Sequence, residues 1–362
     1  MFASPLSTVP PALRLVLVLL VGAVGGGLFT ALGMPAAWLS GAMVATGVAA
    51  LLGLEAPVPA RFRDIVYVIL GISMGSGVTP EVVGRMSAWP ATLAGLALTV
   101  AGVTAGSYLF LRRVAGWDPA TAYFGSIPGA LSMTLATAEL SRADLRRVSL
   151  SQTIRLFMLV AVLPVVVTSV EQPGGLVAGL PVLTEPLALL LLAACGIAGS
   201  ALAVRLRIPA GVLIGAFLAS SLLHLFSVVD GVLPDSIQLP AFVALGAFLG
   251  MRFAGTSLSM VLGTLAASFG AFAVALAIAA GGAMLAAALS GIPPGQVLVA
   301  FAPGGLEAMV ILAFVLGVDP AFVAAHHLAR FVAMTVVVPL AARHVLGPDW
   351  TVAVDAEDRA EA

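Results

Sequence analysis

Few residues in this sequence have the chemistry to bind or react, and they gather around two short motifs. "FGSIPGALSM" (124–133) and "FAPGGLEAM" (301–309) set helix breakers inside apolar runs: Pro128 and Gly129 in the first, Pro303, Gly304 and Gly305 in the second. Downstream, "SQTIR" (151–155) and "HHLAR" (326–330) place Gln152 with Arg155, and His327 with Arg330, at i, i+3, so each pair shares a helix face. Glu307 is the only acid inside the apolar runs away from their ends, and it stands where the first motif has Ser132. A broken helix frees N–H groups at one half-helix start and C=O groups at the other half's end. Glycine there lets backbone approach a ligand closely. Two opposed breaks could therefore hold an anion by N–H groups and a cation by carbonyls. Arg155 and Arg330 would attract the anion. Glu307 would gate or couple, carrying a proton, with His326 and His327 as candidate relay members.

Blander readings stand beside these. A single Pro kink is common in membrane helices, but two register-matched copies favour function. Asp144 and Asp319 read as N-caps, with Pro320 at the favoured first helical position. Each arginine then lies about 10 residues in, ~15 Å, near the middle of a ~30 Å hydrocarbon core. Arginine at that depth is costly and is usually functional or paired. Substrate contact is favoured over structural pairing of Arg330 with Glu307, or snorkelling to an interface. In the pairing alternative Glu307 neutralises Arg330 and never changes protonation.

The elements that must position these residues are membrane helices. The 362-residue chain is 61% hydrophobic and 9% charged, with mean hydropathy +1.14, so the bilayer is its expected solvent. With net charge −1 and no basic cluster, no nucleic-acid partner is implied. The one cysteine, Cys195, excludes a disulfide framework, and the histidines at 224, 326, 327 and 344 have no metal-ligand spacing. No metal, cofactor or catalytic set is expected, and the chain does not read as an enzyme. "GAVGGG" (22–27) is a helix-packing pattern rather than a phosphate loop. The first apolar run is read as mature structure rather than a signal peptide, because a counterpart recurs at 184–205.

Twelve apolar segments are expected, at 13–32, 35–54, 62–79, 89–112, 118–139, 145–170, 184–205, 208–227, 239–253, 259–289, 296–317 and 320–341. They repeat. Pro35 and Gly41 match Pro209 and Gly215 at an offset of 174; from Gly71/Gly246 to Pro164/Pro339 the offset is 175. If all twelve cross, loop arginines fall on both sides. If the two Pro-Gly segments do not cross fully, each repeat has five crossings, the second is inverted, and all the loop arginines but Arg85 share one side. The expected fold is thus an all-α polytopic membrane protein of two inverted repeats, about ten spans plus two broken or re-entrant helices. The repeats are placed at 10–172 and 173–347, with a disordered tail over 348–362. Both termini would be cytoplasmic, in a bacterial inner (plasma) membrane.

"GMPAAWLSGAM", "GSIPGALSM", "APGGLEAMVILA" and "VDPAFVAAHHLARF" resemble the bacterial AbrB, or AbrB duplication, membrane protein family, over roughly residues 15 to 345. That resemblance implies a link to regulation of gene expression. The family's labels of transcriptional regulator and ammonia monooxygenase find neither a DNA-binding module nor metal ligands in this sequence. More distantly the architecture is similar to inverted-repeat secondary carriers, which bind at two broken elements. The expectation is secondary transport of a small, carboxylate-type anion, coupled to H+ or Na+ or uncoupled. Its site would comprise Pro128, Gly129, Ser132, Gln152, Arg155, Pro303, Gly304, Gly305, Glu307, His327 and Arg330. The rival is a membrane sensor that binds without moving anything. It would need an output surface, and the 15-residue tail favours transport. The long apolar 259–289 stretch is the surface expected to serve a homodimer.

Overall fold

A computed structural model describes residues 10–351 of the chain, apart from 79–81, 83, 130, 171–180 and 349. The expected tail therefore lies almost wholly outside the described residues. The described residues fold as helices throughout, and their only β pairing is a Val182–Val232 bridge. The first seven helices are α1 (Pro11–Ala31), α2 (Ala37–Leu51), α3 (Ala60–Gly75), α4 (Trp89–Leu109), α5 (Pro119–Ser126), α6 (Leu131–Ala138) and α7 (Leu145–Val170). The next seven follow the same order: α8 (Pro186–Arg205), α9 (Gly211–Leu225), α10 (Asp235–Gly250), α11 (Leu258–Ser290), α12 (Pro294–Phe301), α13 (Leu306–Val315) and α14 (Pro320–Leu346). Among the described residues seven helices are long and apolar enough to cross a membrane. The fold is that of a polytopic membrane protein.

The two sets correspond element by element. The starts of α5, α6 and α7 recur 175 residues later as those of α12, α13 and α14. Ala36 and Ala210, which precede α2 and α9, both take the left-handed conformation at φ 53°. The equivalent helices α3 and α10 cross antiparallel. Phe62, early in α3, meets Phe248, late in α10, at 5.8 Å between ring centroids, while Ile72 clusters with Ile237 near the start of α10. The equivalents α4 and α11 also run antiparallel: Gly95 packs towards Ala286, and Gly106 towards Val274 and Ile278. Antiparallel crossing of equivalent helices is what an inverted repeat produces.

Small residues allow the closest approaches. A Cβ on Gly25 would strike the backbone of Gly41, and one on Gly199 that of Gly215, so α1–α2 and α8–α9 form matching tight hairpins. Gly246 and Gly250 of α10 bear on the backbone of α2, as Gly71 and Gly75 of α3 bear on that of α9. These swaps knit α1–α3 and α8–α10 into one bundle, and α4–α7 with α11–α14 form the other. The main contacts between bundles are α2 with α7, α3 with α13, and the 251–253 turn with α7. A Gly250→Leu change would thrust a side chain into Thr46 and the Met43 and Gly47 backbone. It should cost ~3 kcal/mol or more and abolish a monodisperse profile on size exclusion. Gly27→Ala, where a Cβ meets nothing, should leave the profile unchanged.

Candidate functional site

The segments expected at 118–139 and 296–317 are each two short helices joined by a non-helical Pro-Gly turn. In the first, α5 stops because Ile127 precedes Pro128 and takes an extended conformation at ψ 123°, and Ala302 does the same before Pro303 at ψ 136°. Each pair is a re-entrant hairpin. Gln152 Nε2 donates to Phe124 O at 3.1 Å and Arg155 to Ile127 O at 2.8 Å, so α7 runs parallel to α5. The Asp144 N–H, at the start of α7, donates to Thr121 Oγ1 near the start of α5 at 2.8 Å. Helix α6, between them, must return to the side from which α5 entered. The second half repeats this, with His327 on Val299 O at 3.1 Å and Arg330 on Ala302 O at 2.7 Å. Asp144 and Asp319 cap α7 and α14, each accepting two backbone N–H bonds within 3.1 Å.

The two breaks meet. Gly129 has φ 81°, and a Cβ placed on it would lie 3.0 Å from Gly304 O and 3.2 Å from an Arg330 terminal nitrogen. Arg330 donates to Ala302 O, to Gly304 O and to His327 Nδ1. Because arginine only donates, His327 accepts at Nδ1 and donates from Nε2 to Val299 O, which sets one neutral tautomer. Both arginines are buried, and each caps the carbonyl end of a half-helix. The charge of Arg155 acts on Arg330. Among the described residues neither arginine has an acid partner; the ion pairs are Arg63–Asp64 and Arg147–Asp144.

Two alternatives for the arginines are corrected here. Arg330 does not pair with Glu307, whose Oε2 instead accepts from Tyr67 OH at 2.8 Å. Nor does Arg330 snorkel, since it is held at the break with 5% exposure. His326 lies off the site, bonded to Thr92 Oγ1 and Phe322 O at 2.8 Å and stacked on Phe322. Pro128, Gly129, Gln152, Arg155, Pro303, Gly304, His327 and Arg330 gather at the crossing. Ser132 and Glu307 occupy the first turns of α6 and α13. Gly305 has open space around it and an ordinary φ of −79°, so neither packing nor backbone demands glycine there.

Sequence reasoning missed two residues. Tyr67 carries no signal in a one-dimensional pattern, since its partner lies 240 residues away. Thr134 is buried in α6 with its hydroxyl unpartnered among the described residues, at the position equivalent to Met309.

Comparison with known proteins agrees with this architecture's membership of a family. A protein of Escherichia coli (strain K12) that carries the name of a regulator, AbrB, is 28% identical over 214 residues, covering 57% of this chain. The match spans 60% of that protein's length. The family model described as "AbrB: Transition state regulatory protein AbrB" matches residues 38–346, most of the sequence. The chain belongs to the AbrB family.

Proposed function

We propose that this protein is a secondary transporter of a small carboxylate-type anion, working by alternating access in a bacterial inner membrane with both termini cytoplasmic. The observation that carries the reading is the pair of buried, acid-free arginines at the Gly129–Gly304 crossing. An arginine at membrane centre costs ~2.5–3.5 kcal/mol or more. The capped carbonyl ends supply only about −0.5 charge each, and the N-termini of α6 and α13 return about +0.5 each, so roughly two positive charges await a counter-ion. An anionic solute supplies it. The two-bundle construction supports movement: the crossing lies wholly within one bundle, and few helices bridge to the other. In this reading Glu307 couples the anion to a proton.

The test is uptake into proteoliposomes across a panel of carboxylates, with and without a pH or sodium gradient. At least one carboxylate should accumulate, and Glu307→Gln should abolish its flux. Flux of none, or flux that survives Glu307→Gln and Arg330→Ala together, overturns the reading. The names of the family and of the Escherichia coli protein favour a second reading, a membrane regulator. It would bind a carboxylate at the same arginines and show saturable binding with no flux.

A further inference from the structure

We propose that a polar cavity on the arginine-rich side is the antechamber through which the carboxylate reaches the crossing, and that Tyr67 is its gating residue; this rests on the transport reading above. The cavity is about 480 Å³, within the ~300–1,000 Å³ range of small-molecule sites. It opens at the seam between bundles, where α3 and α10 of one bundle face α13 of the other. Its lining includes Arg63, Asp64, Tyr67, Val212, Arg252 and Glu307. Glu307 sits in the first turn of α13, two residues past Gly305, so the cavity reaches the helix that follows the second break.

One charge at the mouth is free to draw an anion from water: Arg63 is tied to its neighbour Asp64 at 3.2 Å, whereas Arg252 forms no ion pair among the described residues. At the floor, Tyr67 OH donates to Glu307 Oε2 and ties α3 to α13 across the seam. That bond must break before the second hairpin can part from the other bundle.

The inverted repeat supplies an internal comparison. At an offset of 175, the counterparts of Arg63, Asp64, Tyr67, Arg252 and Glu307 are Gln238, Leu239, Phe242, Gly77 and Ser132. Every ionisable group is lost, and the tyrosine hydroxyl with them. The charged chamber is therefore not a by-product of duplication. It belongs to one side only, and so does the tyrosine latch.

Thiol labelling tests this without knowledge of the solute. In a Cys195→Ser background, Val212→Cys and Leu306→Cys are reacted in proteoliposomes with membrane-impermeant methanethiosulfonates, one anionic (sulfonate) and one cationic (trimethylammonium). Val212→Cys should react from the arginine-rich side only. Arg252→Gln should lower its anionic-to-cationic rate ratio on the order of threefold. Tyr67→Phe should raise Leu306→Cys labelling several-fold. An unreactive Val212→Cys, a ratio indifferent to Arg252→Gln, or a Leu306→Cys rate indifferent to Tyr67→Phe overturns the proposal. If the labelling is as expected but no carboxylate moves, the antechamber stands and the transport reading fails.

Discussion

Arg330→Ala should abolish carboxylate flux while leaving the protein in the membrane. Arg330 makes three hydrogen bonds at the break, to Ala302 O, Gly304 O and His327 Nδ1. Removing it deletes one of two charges for the anion and frees two carbonyls. Bonds of this charged kind are worth ~1.5–3 kcal/mol each. Those bonds hold the break in shape; the separate loss of one charged bond to the anion, ~1.5–3 kcal/mol, should lower affinity at least tenfold. Arg330→Lys distinguishes electrostatics from shape. Lysine keeps the charge but cannot span the carbonyls and the imidazole as the planar guanidinium does. Flux should fall at least tenfold. The equivalent Arg155→Ala removes the bond to Ile127 O and should also stop flux. A purely structural pair of arginines would instead lower thermal stability with affinity unchanged, so radioligand binding is read alongside melting temperature.

Gly129→Ala should be the methyl group that damages flux most for the least loss of folded protein. Glycine is required here on two counts. Its φ of 81° lies in the left-handed region, where an L-residue is strained by ~1–2 kcal/mol. The added Cβ would also press on Gly304 O at 3.0 Å and the Arg330 guanidinium at 3.2 Å, the groups that hold the two breaks together. The two breaks would be forced apart by a few tenths of an ångström, and a site of this precision loses activity at such displacements. Flux should fall on the order of tenfold, from the backbone strain and the displaced arginine together, with wild-type amounts of protein in the membrane. Gly305→Ala is the control: a Cβ there meets nothing and φ is −79°, so flux should be retained.

Much of this fold is legible in the sequence, for physical reasons that particular residues show. The Pro-Gly interruptions can be read because proline cannot continue a helix and forces its predecessor, Ile127 or Ala302, into extended backbone. The caps can be read because Asp144 and Asp319 act locally on the next two or three residues. The inverted sense of the repeat follows from where arginines fall, and the antiparallel α3–α10 and α4–α11 pairs carry it in three dimensions. What sequence could not separate was a re-entrant hairpin from a broken crossing helix. Both have the same hydropathy and the same parity, and only the 28-residue pairings of Gln152 with Phe124 and His327 with Val299 fix the return of α6 and α13.

Distance along the chain misleads in one way. Glu307 is the one acid in reach of Arg330 in the sequence, which is why their pairing stands as the alternative to substrate contact. In three dimensions it turns away from the crossing to Tyr67, a residue from the other bundle. His326 neighbours His327 in sequence, but adjacent residues on a helix face different ways, so it packs on Phe322 and Trp89 instead. Gly305 stands out in sequence as the second of two glycines, while its backbone is of the kind any residue can adopt.

A cryo-EM map of the protein in lipid nanodiscs, with a carboxylate that the flux panel has shown to move, is the most direct trial. Density for the anion should lie between Arg155 and Arg330 where the Pro128–Gly129 and Pro303–Gly304 turns cross, with the hairpins entering from opposite sides. Density held elsewhere, continuous helices through both motifs, or hairpins entering from the same side would contradict it.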